Sequence, residues 1–181
     1  MSEERPTGTG FPLVLGVGNV LLRDEGVGVR VARDVAALGP GAVPAGTEVV
    51  DGGTRGLDLL PLVADAAAMV IVDAVNLRAE PGTVRVLRDA QLHAALAQHG
   101  SPHQVGIGDL VAAARLARSV PARVALVAIQ PERIESGLEL TPAVEAAVPS
   151  AVQAVLRELE AFASTLATGP DEGPGAVAEA R

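Results

Sequence analysis

The stretch FPLVLGVGNVLLRDEGVGVRVARDVAALGP, residues 11–40, decides the fold. Phe11 to Val17 is a short apolar run that stops at Gly18-Asn19, the pattern of a buried strand running into a loop. The period then changes. Val27, Val31, Val35 and Leu38 recur at spacings of three and four, as along one side of a helix, and Gly39-Pro40 ends the run. Strand, loop and helix in succession are the opening of an α/β unit.

The alternation continues outward from there. Thr47 to Val50 reads as a second strand ending in Asp51-Gly52-Gly53-Thr54, and Leu57, Leu60 and Val63 mark a short helix. Met69 to Val72 reads as a third strand and again ends on a carboxylate, Asp73. After the turn Glu80-Pro81-Gly82, Thr83 to Leu87 alternates apolar and polar residues as a half-exposed edge strand does. Helices are expected over Ala90–Gln98 and Val105–Leu116, with a break at Gly100-Ser101-Pro102, and a last buried strand over Arg123–Ile129. Val144, Val148, Val152, Val155 and Leu159 line one side of a long helix from Pro142 to Leu166. The expected architecture is one α/β domain over residues 11–167. It has a doubly wound, mostly parallel five-stranded sheet with one antiparallel edge strand and helices on both faces. Residues 1–10 are expected to be flexible, and the Gly-, Pro- and acid-rich 168–181 a disordered tail.

Composition narrows the function. Of the 181 residues 49% are hydrophobic but only 1% aromatic, so the core is built from Val, Leu, Ile and Ala, and no aromatic platform exists on which bases could stack. The net charge of -8, with Arg as the only cation, disfavours nucleic acid and anionic membranes as partners. There is no Cys, which excludes a thiolate metal site and a cysteine nucleophile. The longest apolar stretch, Ala66 to Val72, is far short of the roughly 20 residues of a membrane span. The polar, acidic start lacks the layout of a secretion signal, and a cytoplasmic protein is expected.

In a doubly wound sheet, ligands collect outside the carboxyl ends of the strands. Gly18-Asn19, Asp51-Gly52-Gly53, Asp73-Ala74 and Gln130-Pro131 all follow strands, so their polar groups should converge on one edge. A dinucleotide fingerprint on Gly16 and Gly18 fails because Leu21 stands where its third Gly belongs. No Gly-x-Ser-x-Gly elbow is present, and His99 and His103 are separated by Gly100 and Pro102, which break a helical two-His site. The loop carboxylates say more. Singly, each has a plain structural explanation: Asp24 as a helix cap, Asp51 and Asp73 as turn formers, His103 as a loop residue. Together, Glu25, Asp73 and His103 would supply two carboxylates and an imidazole at one edge, donors that suit a borderline divalent metal such as nickel or zinc.

These residues carry a family resemblance. The segment Gly16-Val17-Gly18-Asn19-Val20-Leu21-Leu22-Arg23-Asp24-Glu25-Gly26-Val27-Gly28 resembles the opening motif of the hydrogenase-maturation peptidases. Asp51-Gly52-Gly53-Thr54-Arg55-Gly56, Ile71-Val72-Asp73-Ala74-Val75, Glu80-Pro81-Gly82-Thr83 and Ser101-Pro102-His103-Gln104 are similar to the motifs that follow. Ile129-Gln130-Pro131, Gly137-Leu138 and Leu140-Thr141-Pro142 are similar to the closing region. The resemblance implies an endopeptidase that removes a short C-terminal extension from a nickel-loaded [NiFe]-hydrogenase large-subunit precursor. It implies that Glu25, Asp73 and His103 contact the metal, and that the nickel is carried by the precursor rather than stored in the peptidase. Asp51 is the candidate for a base or supporting role, since it needs only to reach the same crevice. Gly26, Gly52 and Gly53 are expected to let substrate backbone approach. The partner is then the precursor, with no nucleic acid or membrane, and the peptidase works as a monomer. The competing classes are a nickel metallochaperone and a nucleotide-binding α/β enzyme.

Overall fold

The computed structural model describes residues 10–39, 41–98 and 107–168, with the side chains of 97, 98 and 165–168 excepted. His103 lies outside the described residues, as do the N-terminus and tail apart from Gly10 and Thr168. Five strands, β1 (Phe11–Val17), β2 (Glu48–Gly53), β3 (Ala66–Ala74), β4 (Val84–Arg88) and β5 (Arg123–Ile129), form one sheet. Their order is β2-β1-β3-β5-β4; the first four are parallel, and β4 runs antiparallel against β5 at the edge. The helices are α1 (Val27–Ala37), α2 (Leu60–Asp65), α3 (Asp89–Gln98), α4 (Ile107–Leu116) and α5 (Pro142–Thr168).

Two apolar layers cover the sheet. Val14, Val70, Val72, Val127 and Ile129 face α1 and α5, whose Val27, Val31, Val148 and Val155 complete that layer. Leu13, Leu15, Met69, Ile71 and Leu126 point the other way, toward Val63 of α2, Leu92 of α3 and Leu110 of α4. Both sides of the central strands are therefore buried, which is why they read as continuous apolar runs. β3 begins at Ala66, three residues ahead of the run Met69 to Val72. Alanine has little strand preference of its own, and pairing of Ala66 and Ala68 with Phe11 and Pro12 supplies the order.

The chain leaves β1 toward β2 on one side and later builds β3, β5 and β4 on the other. The point of reversal is the crevice between β1 and β3, where ligands of such sheets bind. Two glycines let α1 lie against this point. A Cβ on Gly16 would sit 2.3 Å from the Gly28 carbonyl oxygen, and one on Gly28 would sit 2.2 Å from the Val72 oxygen. Gly16 near the end of β1 and Gly28 at the start of α1 thus serve helix-on-strand packing. No described helix is long and apolar enough to cross a membrane.

Candidate metal-contacting site at the strand switch point

Between β1 and α1 lies a loop that ends in a 3-10 turn, Arg23–Gly26. Its first residue, Arg23, has φ 49°, a left-handed backbone. The turn is fixed by a segment far along the chain. Arg23 N–H donates to the Gly137 carbonyl at 3.0 Å, and Gly137 N–H donates back to Leu21 at 3.0 Å. The carboxylate of Asp24, 0% exposed, accepts four hydrogen bonds from the stretch that follows β5. Oδ2 accepts from the N–H groups of Glu132 and Arg133, each at 2.9 Å, and from the Thr141 hydroxyl at 2.9 Å. Oδ1 accepts from the Thr141 N–H at 2.7 Å. Asp24 is therefore no helix cap: α1 has no side-chain cap, and the carboxylate ties two loops together instead.

Electrostatics separate Asp24 from its neighbour. Burial by itself raises the pKa of Asp24, but the hydrogen bonds from Arg133, Thr141 and Glu132 outweigh it and hold the carboxyl below its ordinary range. Glu25 has no such compensation. Its carboxyl is raised by burial, and its Oε2 is buried without a hydrogen-bond partner among the described residues.

Asp73 stands at the end of β3, on the same side as Met69 and Ile71, toward α3 and α4. Burial pushes its carboxyl up to about 8; the N–H of Ala74 works against the rise and the charge of Glu25 adds to it. Each carboxylate is thus a poor place for a negative charge, and the two are neighbours. A cation between them would relieve both. Oxygen donors with an unpartnered buried atom fit a divalent ion, although no group of three His, Asp or Glu side chains converges among the described residues.

Asp51 is placed elsewhere. It alternates with Val49 on the α1 face of β2, opposite to the face that carries Asp73, and β1 stands between β2 and β3. Strand spacing puts β2 and β3 about 10 Å apart. Its carboxylate accepts from Arg33 of α1, Nη2 at 2.7 Å and Nε at 3.0 Å. The structure therefore brings Glu25 and Asp73 together and leaves Asp51 in an ion pair on the far side. Gly26 and Gly52, expected to admit a substrate's backbone, are filled by the protein itself: added Cβ atoms would meet Val20 Cα at 2.9 Å and Leu15 Cδ1 at 2.8 Å.

Two polar residues that the sequence reading quoted but gave no role shape the site. Thr141 completes the Asp24 clamp, and Gln130, 9% exposed, accepts the Leu77 N–H at 2.7 Å and so shapes the loop after β3. Thr141 directly before Pro142 was the available signal, but it points to a helix start rather than to a partner 117 residues away. Beside the 3-10 turn runs a groove of about 450 Å³, lined by Val20, Arg23, Gly26, Arg30, Leu138 and Leu140 among others. Neither Glu25 nor Asp73 opens into it, and the guanidinium of Arg30 is taken up by Asp34 and Glu145.

Comparison with known proteins points one way. A family model described as hydrogenase maturation protease matches residues 33–158. The hydrogenase 2 maturation protease of Escherichia coli (strain K12) is 42% identical over 149 residues, 81% of this chain and 89% of that protein. The hydrogenase expression/formation protein HupD of Rhodobacter capsulatus is 40% identical over 159 residues, covering 87% and 75% of the two chains. Among solved structures, the hydrogenase maturating endopeptidase HybD from E. coli superposes with a TM-score of 0.75 at 37% identity, covering 84% of this chain and 93% of that one.

Proposed function

Because this chain belongs to the hydrogenase maturation protease family, we propose that it cuts the C-terminal extension from a hydrogenase large-subunit precursor that carries nickel. The observation that carries the proposal is the meeting of Glu25 and Asp73 at the strand switch point, with Glu25 Oε2 buried and unpartnered. We assign His103 as the third contact from its motif. The three side chains would take up open positions on the precursor's nickel, so the metal is part of the substrate and its presence is what is recognised. Binding through the metal holds the adjacent peptide bond in the crevice beside β1 and β3. Water then adds to the carbonyl carbon, the C–N bond breaks, and the released amine takes up a proton. The nickel draws electron density from the carbonyl, and neither a cysteine nor a serine triad is required. Asp51 would join the reaction only after leaving Arg33, so Glu25, Asp73 and His103 carry the proposal. The reaction is cytoplasmic and the peptidase works as a monomer.

The test is the intact mass of a purified precursor mixed with this protein, with and without nickel in the precursor. Loss of a C-terminal peptide from the nickel-loaded form alone is the expected result, abolished by Glu25→Gln and by His103→Ala. Unchanged mass of a demonstrably loaded, cognate precursor would overturn the peptidase and favour a nickel metallochaperone. Normal cutting by both variants would overturn the ligand assignment.

A further inference from the structure

We infer that Asp24 is the positioning residue for Glu25: its clamp on the loop after β5 holds the Glu25 carboxylate where it can meet Asp73. The inference rests on the role proposed above for Glu25. Among the described residues nothing hydrogen-bonds Glu25 Oε2, so none of them fixes this carboxylate oxygen directly. Its direction is thus set from the backbone, and the backbone is held on two sides. On one side, Gly18 (φ 128°) closes against it: a Cβ there would lie 1.8 Å from the Glu25 carbonyl oxygen. On the other, the adjacent Asp24 accepts hydrogen bonds from Glu132, Arg133 and Thr141, joining the turn to the segment between β5 and α5.

Four donors converge on two oxygens, which only a carboxylate of this length satisfies. An asparagine would present its NH2 group to N–H donors and lose at least one bond. The left-handed backbone at Arg23 makes the turn dependent on such external support, since a non-glycine residue there is held against its preference. Release of the clamp would let the turn rotate. Movement of a metal-contacting carboxylate by about 1 Å is enough to lower a rate about a hundredfold.

The experiment follows single-turnover cutting of nickel-loaded precursor by the full chain, with circular dichroism confirming the fold at the assay temperature. Asp24→Asn is expected to lower the rate at saturating precursor at least about tenfold, with little change in half-saturation. Glu158→Gln serves as the stability control: it disrupts the ion pair of buried Glu158 with exposed Arg88, far in sequence from the turn, and should leave the rate within about twofold. If Asp24→Asn does not fold, Thr141→Val removes one donor and should slow the reaction about threefold or more, while Thr141→Ser, which keeps the hydroxyl, should restore it. A folded Asp24→Asn or Thr141→Val that cuts at the normal rate overturns the inference. So does a loss of rate that Glu158→Gln reproduces, since the effect would then follow stability alone. Normal cutting by Glu25→Gln would overturn the preceding ligand assignment as well, whereas a dead Glu25→Gln beside an active Asp24→Asn overturns the positioning role only.

Discussion

Asp24 and Glu25 are adjacent, the first fully buried and the second half-buried, and their surroundings treat them in opposite ways. The region around Asp24 meets its carboxylate with four donors, and its pKa falls. In the crevice between β1 and β3, Glu25 has burial without compensation and Asp73 has only the Ala74 N–H to set against it, and both rise. Burial alone does not distinguish a structural carboxylate from one set aside for a ligand; the supply of donors does. The clamp spends its hydrogen bonds within the protein and gains rigidity. The crevice withholds them, which is what the proposed contact with a partner's cation would draw on.

The largest effect expected on this contrast is the loss of the clamp. Asp24→Ala leaves four donors without an acceptor and should destabilise the fold by about 3 kcal/mol or more, measured by urea unfolding. A loss below about 1 kcal/mol would mean that water replaces the carboxylate and that the clamp is no anchor. In the crevice the order reverses. Glu25→Gln should leave stability unchanged or raise it slightly, yet lower precursor processing by about a hundredfold or more. A variant that is equally destabilised and still active would erase the distinction between the two regions.

Acidity sharpens the comparison further, in the protein without metal. The folded state keeps a proton on Asp73 between the ordinary value of 3.8 and about 8, whereas the unfolded chain gives it up first. This contribution to stability is therefore lost as pH rises through that interval, and the thermal midpoint should decline from pH 5 to pH 8. Asp73→Asn should flatten the decline. Asp24 acts in the opposite sense: its lowered pKa adds stability above the ordinary value, and that stability is lost as pH falls through the folded value. A midpoint that rises between pH 5 and pH 8 would show Asp73 to be ionised in the folded chain.

The smallest effect belongs to Asp51. Its pair with Arg33 is solvent-exposed, with side chains 39% and 60% accessible, so Arg33→Ala should change stability by no more than about 0.5 kcal/mol. A drop in processing without a drop in stability would place Asp51 back beside the reacting bond, since freeing its carboxylate would then have disturbed the chemistry.

Much of this was legible in the residues. Strand β5 was read at both of its ends, because seven residues with a continuous apolar stretch between a polar start and Gln130-Pro131 have few alternatives. The alternation of Thr83 to Leu87 identified the antiparallel edge strand, which the structure places one residue later, at Val84–Arg88. Asp73 was singled out because it closes an apolar run that reads as a strand, and Glu25 because it is a loop carboxylate before a helix start, in the opening motif that carries the family resemblance. The reading stopped where position along a strand decides the face. Asp51 and Asp73 look alike in sequence, each closing an apolar run, but side chains alternate across the sheet and the two leave it on opposite faces. Gly26 and Gly52 looked available to a substrate, and only packing showed that Val20 and Leu15 already occupy the space.

The sequence by itself determined the α/β class, the five strands, the strand ends beside which Glu25 and Asp73 meet and the family to which the motifs belong. These follow from periodicity and local residue choice, which act over a few neighbours. Only the tertiary structure decided which carboxylate is satisfied and which is left needing a partner. The donors to Asp24 come from residues 108 to 117 positions away, and their arrival depends on β5 lying beside β3 at the sheet's centre. A carboxylate's character is fixed by the donors and charges within a few ångströms, and that company is assembled by folding.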